Sequence, residues 1–278
     1  MKTKIYYFTG TGNSLAAAKK IASSLEDCDL VPISSMMETP GDIVPSADRV
    51  GIVCPVYFAG LPAMVALFAA RLDLSKVHYT FSVLTYGGGG GESALAQLDE
   101  ILRRRSDRGL SAGYFVVMPG NYILMYESPT GKEQETILTS ANEEIQKITQ
   151  EIVQCKEQPL PRSFVSWLLH SLTYSRFISG VHNKDQKFSV NEDCTSCGIC
   201  AAICPAKNIE LVDKKPVWKH HCELCCGCIH LCPTKAIQAG KKTVGKARYR
   251  NPDVKIPELH TIEERRSFES DTNKEMLS

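Results

Sequence analysis

The hydrophobic residues in the first half of the chain follow two alternating patterns. Short runs of β-branched and aromatic residues predict strands, and longer segments with apolar residues three or four positions apart predict amphipathic helices. The predicted strands are Lys4 to Phe8, Asp29 to Ile33, Arg49 to Cys54, Tyr79 to Thr85 and Leu110 to Met118. The predicted helices begin at Leu15, Met64, Glu92 and Glu133, and the last of them extends to Lys156.

This alternation predicts an α/β fold with a doubly wound, parallel, five-stranded sheet. The run that ends at Cys54 is continuously apolar, as expected of a strand that is buried on both faces. In such sheets, ligands bind beyond the carboxyl ends of the strands, near the point where the strand order reverses. A binding site is therefore expected in the loops that follow the strands.

The loop after the first predicted strand is rich in glycine and hydroxyl groups. It consists of Thr9, Gly10, Thr11, Gly12, Asn13 and Ser14. A strand, a glycine loop and a helix N-terminus form an anion site, because backbone N–H groups and the helix dipole both favour negative charge. The dinucleotide fingerprint would place a third glycine at Leu15, and the ATP-binding loop would need a Gly-Lys-Ser/Thr tripeptide, which the sequence lacks. We predict a phosphate site of another kind, with an ordinary glycine turn as the alternative.

Two further loops follow predicted strands and carry aromatic and turn residues. One consists of Pro55, Val56, Tyr57, Phe58, Ala59 and Gly60, and the other of Thr85, Tyr86, Gly87, Gly88, Gly89 and Gly90. Asn121 and Tyr122, after the fifth strand, are further candidates, with a plain turn as the alternative. Because the carboxyl ends of parallel strands lie at one edge of the sheet, these loops are expected to converge.

Eight cysteines between Cys194 and Pro233 fall into two copies of one pattern, and a single offset carries Cys194 onto Cys222 and each later cysteine onto its counterpart. Each copy has intervals of two, two and three residues and a proline after its fourth cysteine, as in two-cluster bacterial ferredoxins. The fourth cysteine of each copy then ligates the other cluster. We assign Cys194, Cys197, Cys200 and Cys232 to one [4Fe-4S] cluster, and Cys222, Cys225, Cys228 and Cys204 to a second.

Two other interpretations of these cysteines stay open. Structural zinc sites also use closely spaced thiolates, although they usually pair two CxxC elements across a longer gap. A disulfide framework would suit an exported protein, but the N-terminus lacks the apolar stretch of a signal peptide. The sequence therefore predicts metal ligands in a reducing cytoplasm, and it predicts that Cys226, the counterpart of Gly198, is a spectator. Cys28, Cys54, Cys155 and Cys226 are predicted to be buried free thiols.

The length of 278 residues suits two domains, and 43% hydrophobic residues suffice for an ordinary core. We predict a first domain at 1–157, a connecting helix within 158–186, a cysteine-rich domain at 187–240 and a basic, then charged, tail at 241–278. A membrane-surface helix within 158–186 and a tail that docks an acidic partner are the alternatives. A net charge of +1 argues against nucleic acid, and no apolar run is long enough for a membrane span.

The loop sequence TGTGNS resembles the phosphate loop of flavodoxins, which holds the phosphate of FMN with neutral donors. The resemblance implies that Thr9, Thr11, Gly12, Asn13 and Ser14 bind this phosphate. It also implies that Pro55 to Gly60 and Thr85 to Gly90 enclose the isoalloxazine ring, with Tyr57, Phe58 and Tyr86 as stacking candidates. The glycines of the third loop would leave one face of the ring open.

The order of the two halves resembles the ferredoxin-fused flavodoxin family of anaerobic bacteria, and PVYFAGLP and MPGNY are similar to its flavin-side motifs. The resemblance implies a flavodoxin-like, FMN-binding α/β domain at 1–157 and a small α+β ferredoxin domain with two [4Fe-4S] clusters at 187–240. Together they would form an electron-transfer iron–sulfur flavoprotein. Its partner would be a redox protein, such as ferredoxin or a reductase. The alternative is an FMN-dependent reductase of a small unsaturated or quinone-like molecule. A homodimer stays open.

Overall fold

The computed structural model describes residues 1–260, which form two compact units. The first comprises Met1–Thr9, Asn13–Gly120 and Ser128–Gly180. The second comprises Gly10–Gly12, Asn121–Glu127 and the described chain from Val181 onward. The charged end of the predicted tail, 261–278, lies outside the described residues.

The first unit is built on a five-stranded sheet. Its strands are β1 (Thr3–Tyr7), β2 (Cys28–Pro32), β3 (Arg49–Pro55), β4 (Tyr79–Tyr86) and β5 (Ala112–Val117), in the order β2-β1-β3-β4-β5. All neighbouring pairs are parallel. This is the order of flavodoxin-like doubly wound folds, in which the direction of strand addition reverses between β1 and β3. The predicted α/β fold with five parallel strands is confirmed.

Six helices accompany this sheet among the described residues. They are α1 (Asn13–Ala22), α2 (Ile33–Met36), α3 (Ala63–Ala69), α4 (Gly91–Ser106), α5 (Gly131–Val153) and α6 (Phe164–Ile178). The stripe that predicted α5 faces inward, since Ala141, Ile145, Ile148 and Ile152 are buried. The central strands β3 and β4 are buried along nearly their whole length. The apolar faces of the helices and the continuously apolar strands thus form one core.

Helix α6 corresponds to the predicted connecting helix, and the structure places it in the first unit beside α4. Ser163 caps it, because its Oγ accepts a hydrogen bond from the N–H of Ser166. The Oγ of Ser166 in turn accepts from the N–H of Ser93 at the start of α4. The opposite face is exposed and apolar, and Phe164 is 74% exposed.

The cysteine-rich part of the second unit consists of short elements in two equivalent sets. They are β6 (Phe188–Val190), α7 (Ile199–Ala202), β7 (Ile209–Val212), β8 (Lys215–Trp218), α8 (Gly227–Leu231) and β9 (Ile237–Ala239). The strands form two antiparallel ribbons, β6 with β9 and β7 with β8. Each ribbon therefore pairs one strand of the first copy with one strand of the second copy.

The repeat in the cysteine sequence extends to the backbone conformation. Helices α7 and α8 begin at equivalent positions of the two copies, Ile199 and Gly227. Positive φ values also recur at equivalent positions, in the pairs Ser196 and Leu224, Gly198 and Cys226, and Lys207 and Lys235. The two cysteine runs thus follow the same backbone path, because their turns occur at the same intervals along the chain.

Residues 241–260, which the sequence assigns to a tail, pack within the second unit. The side chains of Tyr249 and Val254 are buried there. Lys246 Nζ donates to the carbonyl oxygen of Ile123 at 2.8 Å, and the N–H of Asn251 donates to the carbonyl oxygen of Thr11 at 2.9 Å. The basic residues had suggested a solvated segment, but the apolar residues between them supply a packing face.

Candidate functional site

The loops at the carboxyl edge of the sheet follow β1, β3 and β4. Because these strands are parallel neighbours, their ends lie side by side, and Pro55 is in register with Thr85. The structure thus brings together the second and third predicted loops at one edge of the first unit. Thr9, Asn13 and Ser14 belong to the same unit.

The N-terminus of α1 presents hydroxyl and amide groups rather than charges. Ser14 Oγ and Thr85 Oγ1 are 2.8 Å apart and share a hydrogen bond, and Asn13 Nδ2 donates to the carbonyl oxygen of Pro119 at 3.1 Å. The first turn of α1 contains no acidic residue. The first N–H groups of a helix lack partners within it and favour an anion, so this end is compatible with a phosphate.

The loop Pro55 to Gly60 is held in an unusual conformation. Phe58 and Ala59 have φ values of 50° and 62°, in the left-handed region. The N–H groups of Tyr57 and Gly60 each donate to the other's carbonyl oxygen, at 2.8 and 2.9 Å. A tight turn therefore fixes the loop.

Helix α6 covers this loop. Sequence reasoning predicted the loop but missed its contact with the helix. Phe177 stacks on Phe58 with ring centroids 4.7 Å apart, and the Tyr174 hydroxyl donates to the carbonyl oxygen of Leu61 at 2.9 Å. The ring of Tyr174 also fills the space that a Cβ at Gly60 would occupy. Phe58, predicted to stack on a flavin, is thus already engaged by Phe177 on one face. The apolar stripe of α6 was visible in the sequence, but its distant target in the chain was not.

The loop Thr85 to Gly90 is open. Gly88 and Gly89 have positive φ, and a Cβ at either would meet nothing within 4 Å. The ring of Tyr86 packs at a tilt against the ring of Phe115, with centroids 5.8 Å apart and an interplanar angle of 53°. Burial, with Glu92 nearby, raises the pKa of Tyr86, so its hydroxyl stays protonated at neutral pH.

In the second unit, four cysteines line a small cavity, here called the first cysteine cavity. They are Cys194, Cys197, Cys200 and Cys232. Leu211, Pro216 and Ile237 provide its apolar wall. Burial raises the pKa of Cys200 to about 11. These are the same four residues that the sequence assigns to one cluster.

A second small cavity, here called the second cysteine cavity, is lined by Cys204, Cys222, Cys225 and Cys228. Phe188, Ile209 and Trp218 contribute to its wall, and so does Cys226. Burial raises the pKa of all four thiols, that of Cys225 to about 12. A metal that binds here must displace these protons. Cys204 comes from the first run and the other three from the second.

Backbone N–H groups point at several sulfur atoms. Asn208 N donates to Cys204 Sγ at 3.4 Å, and Ala236 N donates to Cys232 Sγ at 3.2 Å, at equivalent positions of the two copies. Leu224 N donates to Cys222 Sγ at 3.2 Å. Hydrogen bonds to sulfur are one of the protein's means of tuning a cluster.

His220, which precedes the second run, bonds to a buried carboxylate through its side chain. His220 Nδ1 donates to Asp185 Oδ1 at 2.8 Å, and Asn208 Nδ2 donates to the other oxygen of this buried carboxylate at 2.7 Å. The N–H of His221 donates to Asn208 Oδ1 at 2.8 Å. Asp185 thus orients Asn208, whose N–H reaches Cys204.

The middle of the predicted phosphate loop belongs to the second unit. A Cβ at Gly10 would lie 2.5 Å from the carbonyl oxygen of Cys225, closer than real Cβ atoms approach. Thr11 Oγ1 accepts a hydrogen bond from Asn121 Nδ2 at 2.7 Å. Gly12 has a φ of 102° and lies near Val254. Glycine at position 10 is therefore explained by a close approach to the second cysteine run.

His230 is a buried residue of this unit that sequence reasoning missed. Its Nε2 donates to the carbonyl oxygen of Asn121 at 2.8 Å, and its Nδ1 accepts from the N–H of Tyr249 at 3.0 Å. Burial lowers the pKa of His230 to about 4, so the ring is neutral and its tautomer is set by these partners. Asn121 is thereby tied to the segment between Cys228 and Cys232, and no local pattern indicated this.

Across residues 1–260, every helix is too short or too polar to cross a membrane.

No protein-family model and no curated protein matches the chain. Solved structures do match in part. The Trp repressor binding protein of Bacillus subtilis is 14% identical over 57% of this chain and 100% of its own, with a TM-score of 0.38. An FMN-dependent NADH-azoreductase of Bacillus anthracis in complex with FMN is 11% identical over 55% and 99%, also at 0.38. A flavoprotein of Lactobacillus acidophilus in complex with FMN is 14% identical over 41% and 92%, at 0.33.

These TM-scores lie below 0.5, so the class of protein rests on the strand order rather than on the similarities. Parallel strands in the order β2-β1-β3-β4-β5 define a flavodoxin-like α/β unit.

Proposed function

We propose that the protein is an electron-transfer iron–sulfur flavoprotein that passes electrons between two [4Fe-4S] clusters and FMN. The observation that carries the proposal is the arrangement of eight thiols around two cavities. Each cavity takes three cysteines from one run and the fourth from the other, as in two-cluster ferredoxins.

The thiol cavities fit clusters better than single ions. Across residues 1–260, no three or more His, Cys, Asp or Glu side chains converge as a single metal ion would require. A zinc ion draws its sulfur ligands to about 2.3 Å from one point, whereas a cubane distributes them over four irons. Four thiols spread around the wall of each cavity suit the larger group.

The carboxyl edge of the first unit fits a flavin mononucleotide. Its phosphate would lie at the N-terminus of α1, where Thr9, Asn13 and Ser14 supply neutral donors and no carboxylate of the first turn opposes it. The loop Pro55 to Gly60, fixed by α6, and the open loop Thr85 to Gly90 would enclose the ring. Thr11 and Gly12 complete the predicted phosphate loop.

The two cofactors differ in electron count. Bound FMN exchanges one or two electrons and a cluster exchanges one, so together they couple single-electron and two-electron carriers.

A reductase of a small unsaturated or quinone-like molecule is the second candidate. The open space around Gly88 and Gly89 favours it, since it leaves room beside the predicted flavin loop. A hydride acceptor also needs a proton. Tyr86 is poorly suited to supply it, because its raised pKa opposes ionisation. We therefore favour a carrier with a redox-protein partner, and we propose a cytoplasmic location.

The composition of anaerobically purified protein tests the proposal. We expect one FMN and about eight irons per chain. Ser14→Ala should lower FMN occupancy and leave iron unchanged. Ser23→Ala is the matched control, because its hydroxyl is exposed and bonds only the carbonyl oxygen of Lys20. Protein without FMN, or with zinc in place of iron, would overturn the proposal.

Stopped-flow mixing separates the carrier from the reductase. Reduced ferredoxin should reduce the flavin, and reoxidation should then require a protein acceptor. Turnover with small quinones in the absence of a protein partner would establish the reductase instead.

A further inference from the structure

A second cluster of reactive groups lies at the amino edge of the sheet, away from the predicted flavin loops. Arg49 is the first residue of β3, and it pairs in register with Thr3, which also pairs with Cys28 on the other side. Arg49 is only 5% exposed. The phosphate and cluster proposals use none of these residues.

The guanidinium of Arg49 is buried without a carboxylate. Its Nη2 donates to Cys155 Sγ at 3.2 Å, to Met1 Sδ at 3.1 Å and to the carbonyl oxygen of Val153 at 3.3 Å. Its Nε has no hydrogen-bond partner. Within 1–260, no carboxylate forms an ion pair with Arg49. A buried cation that lacks an anion is costly, so the site favours a negative charge beside it.

Cys155 is the only one of these three acceptors that can supply an anion. It follows the C-cap of α5, with a φ of 50° in the left-handed region. Its N–H donates to the carbonyl oxygen of Ile152 at 3.0 Å, and the N–H of Lys156 donates to that of Glu151 at 3.0 Å. Glycine is the usual residue at this position of such a helix end. A partly accessible thiol therefore occupies a strained position next to the guanidinium.

We propose that Cys155 is a modification site, oxidised by peroxides to a sulfenic acid, with Arg49 as its positioning residue. The Cys155 thiolate attacks one peroxide oxygen; the S–O bond forms as the O–O bond breaks. The departing hydroxide takes a proton and becomes water. Sulfur loses two electrons and the peroxide gains them. Arg49 stabilises the charge on sulfur before the attack and the sulfenate after it.

The chain provides its own comparison thiols. Burial, with Asp29 nearby, raises the pKa of Cys28 to about 11, although Arg49 opposes this. Burial also raises the pKa of Cys54, which is fully enclosed in β3. Both thiols should therefore resist the thiolate-dependent reaction.

Peptide-resolved mass spectrometry of the cofactor-loaded chain tests the proposal. After exposure to hydrogen peroxide in the presence of dimedone, Cys155 should be labelled roughly tenfold faster than Cys28 or Cys54. The same order is expected for alkylation by iodoacetamide. Equal rates at the three thiols in the unaltered chain would overturn the proposal, whatever the variants do.

Two variants separate the charge of Arg49 from its packing. Arg49→Met should reduce the labelling of Cys155 to about the level of Cys28. Arg49→Lys should retain an intermediate rate, since it keeps a cation but loses the planar fork. Melting curves identify any loss of folding. A folded Arg49→Met chain that labels like the wild type would refute the role of Arg49.

Discussion

The two cysteine cavities share one backbone pattern but are closed by different side chains. Phe188 and Trp218 line the second cavity and pack edge to face, with ring centroids 5.9 Å apart. In the first cavity the counterpart of Phe188 is Pro216, and Leu211 is 41% exposed. Cys197 of the first cavity is exposed, whereas all four thiols of the second are at least half-buried.

The repeated cysteine pattern sets the backbone path and the positions of the thiols, whereas the neighbouring side chains set how far solvent reaches them. The ligand spacing and the positive φ positions recur at equivalent places in the two copies. The walls do not recur, because they come from residues outside the cysteine pattern. Solvent exposure and hydrogen bonds both affect cluster properties, so we expect two unequal clusters.

The largest expected difference concerns the loss of one ligand. Cys228→Ser and Cys200→Ser alter equivalent positions in the two runs. Each should reduce iron from about eight to about four per chain. Cys228→Ser should lower the melting temperature by roughly 5 °C more than Cys200→Ser, because the aromatic wall prevents water from filling the empty second cavity. Iron analysis and calorimetry measure both; equal melting temperatures would remove the distinction between the cavities.

The second-largest expected difference between the two cavities is how fast a chelator removes iron from each. Because Cys197 is exposed, iron of the proposed first cluster should be released roughly tenfold faster than iron of the proposed second cluster. Release of iron in two phases, followed by electron paramagnetic resonance, measures this. Trp218→Ala should speed the slow phase, and Val244→Ala, at an exposed side chain, is the control. A single phase in the wild type would contradict the prediction.

The third difference concerns Cys226, which has a φ of 58° where the first repeat has Gly198 at 75°. Cys226→Ala and Cys226→Gly both remove the thiol, but only glycine relieves the left-handed conformation. The glycine variant should therefore be more stable than the alanine variant by about 1 kcal/mol in denaturant unfolding.

Gly198→Ala provides the mirror experiment for this position. It should cost about 1 kcal/mol without a steric clash, since the nearest atom to its Cβ is Leu211 Cδ1 at 3.8 Å. If Cys226→Ala were as stable as Cys226→Gly, the thiol position would not be strained.

The smallest expected effect concerns one hydroxyl. Thr234 Oγ1 lies 3.7 Å from Cys232 Sγ, while the equivalent position for Cys204 is Ala206. Thr234→Ala should lower the reduction potential of the first cluster only, because a donor to sulfur favours the more negative reduced state. A redox titration followed by electron paramagnetic resonance reports both clusters. If only the reduction potential of the second cluster changed, the assignment of Cys232 to the first cluster would be wrong.

Much of the fold could be predicted because the patterns are local. All five predicted strands exist, with ends shifted by at most two residues, since β-branched runs between turns define them. The apolar pattern alone does not predict the strand order or the register of Pro55 with Thr85, because both depend on which strands pair; the flavodoxin resemblance supplied the order. The predicted grouping of the eight cysteines matches the thiols that line each cavity, because the cysteines of each run lie close together in the chain.

Contacts between distant segments escaped prediction. Gly60 appeared to be a turn glycine, but the ring of Tyr174 occupies the space beside it. Arg49 was placed at the start of a strand, and its contact with Cys155 depends on how α5 ends near that edge. Residues 241–260 carry basic side chains typical of a solvated tail, yet Tyr249 and Val254 are buried.

The sequence by itself determined the alternation of strands and helices, the glycine loops and the spacing of eight cysteines, because each depends on neighbouring residues and on backbone preference. Only the tertiary structure decided that α6 fixes the loop at Gly60, that Gly10 approaches Cys225, and that Phe188 and Trp218 line the second cysteine cavity while Cys197 of the first is exposed. These features depend on close packing between segments far apart in the chain, which no local pattern encodes.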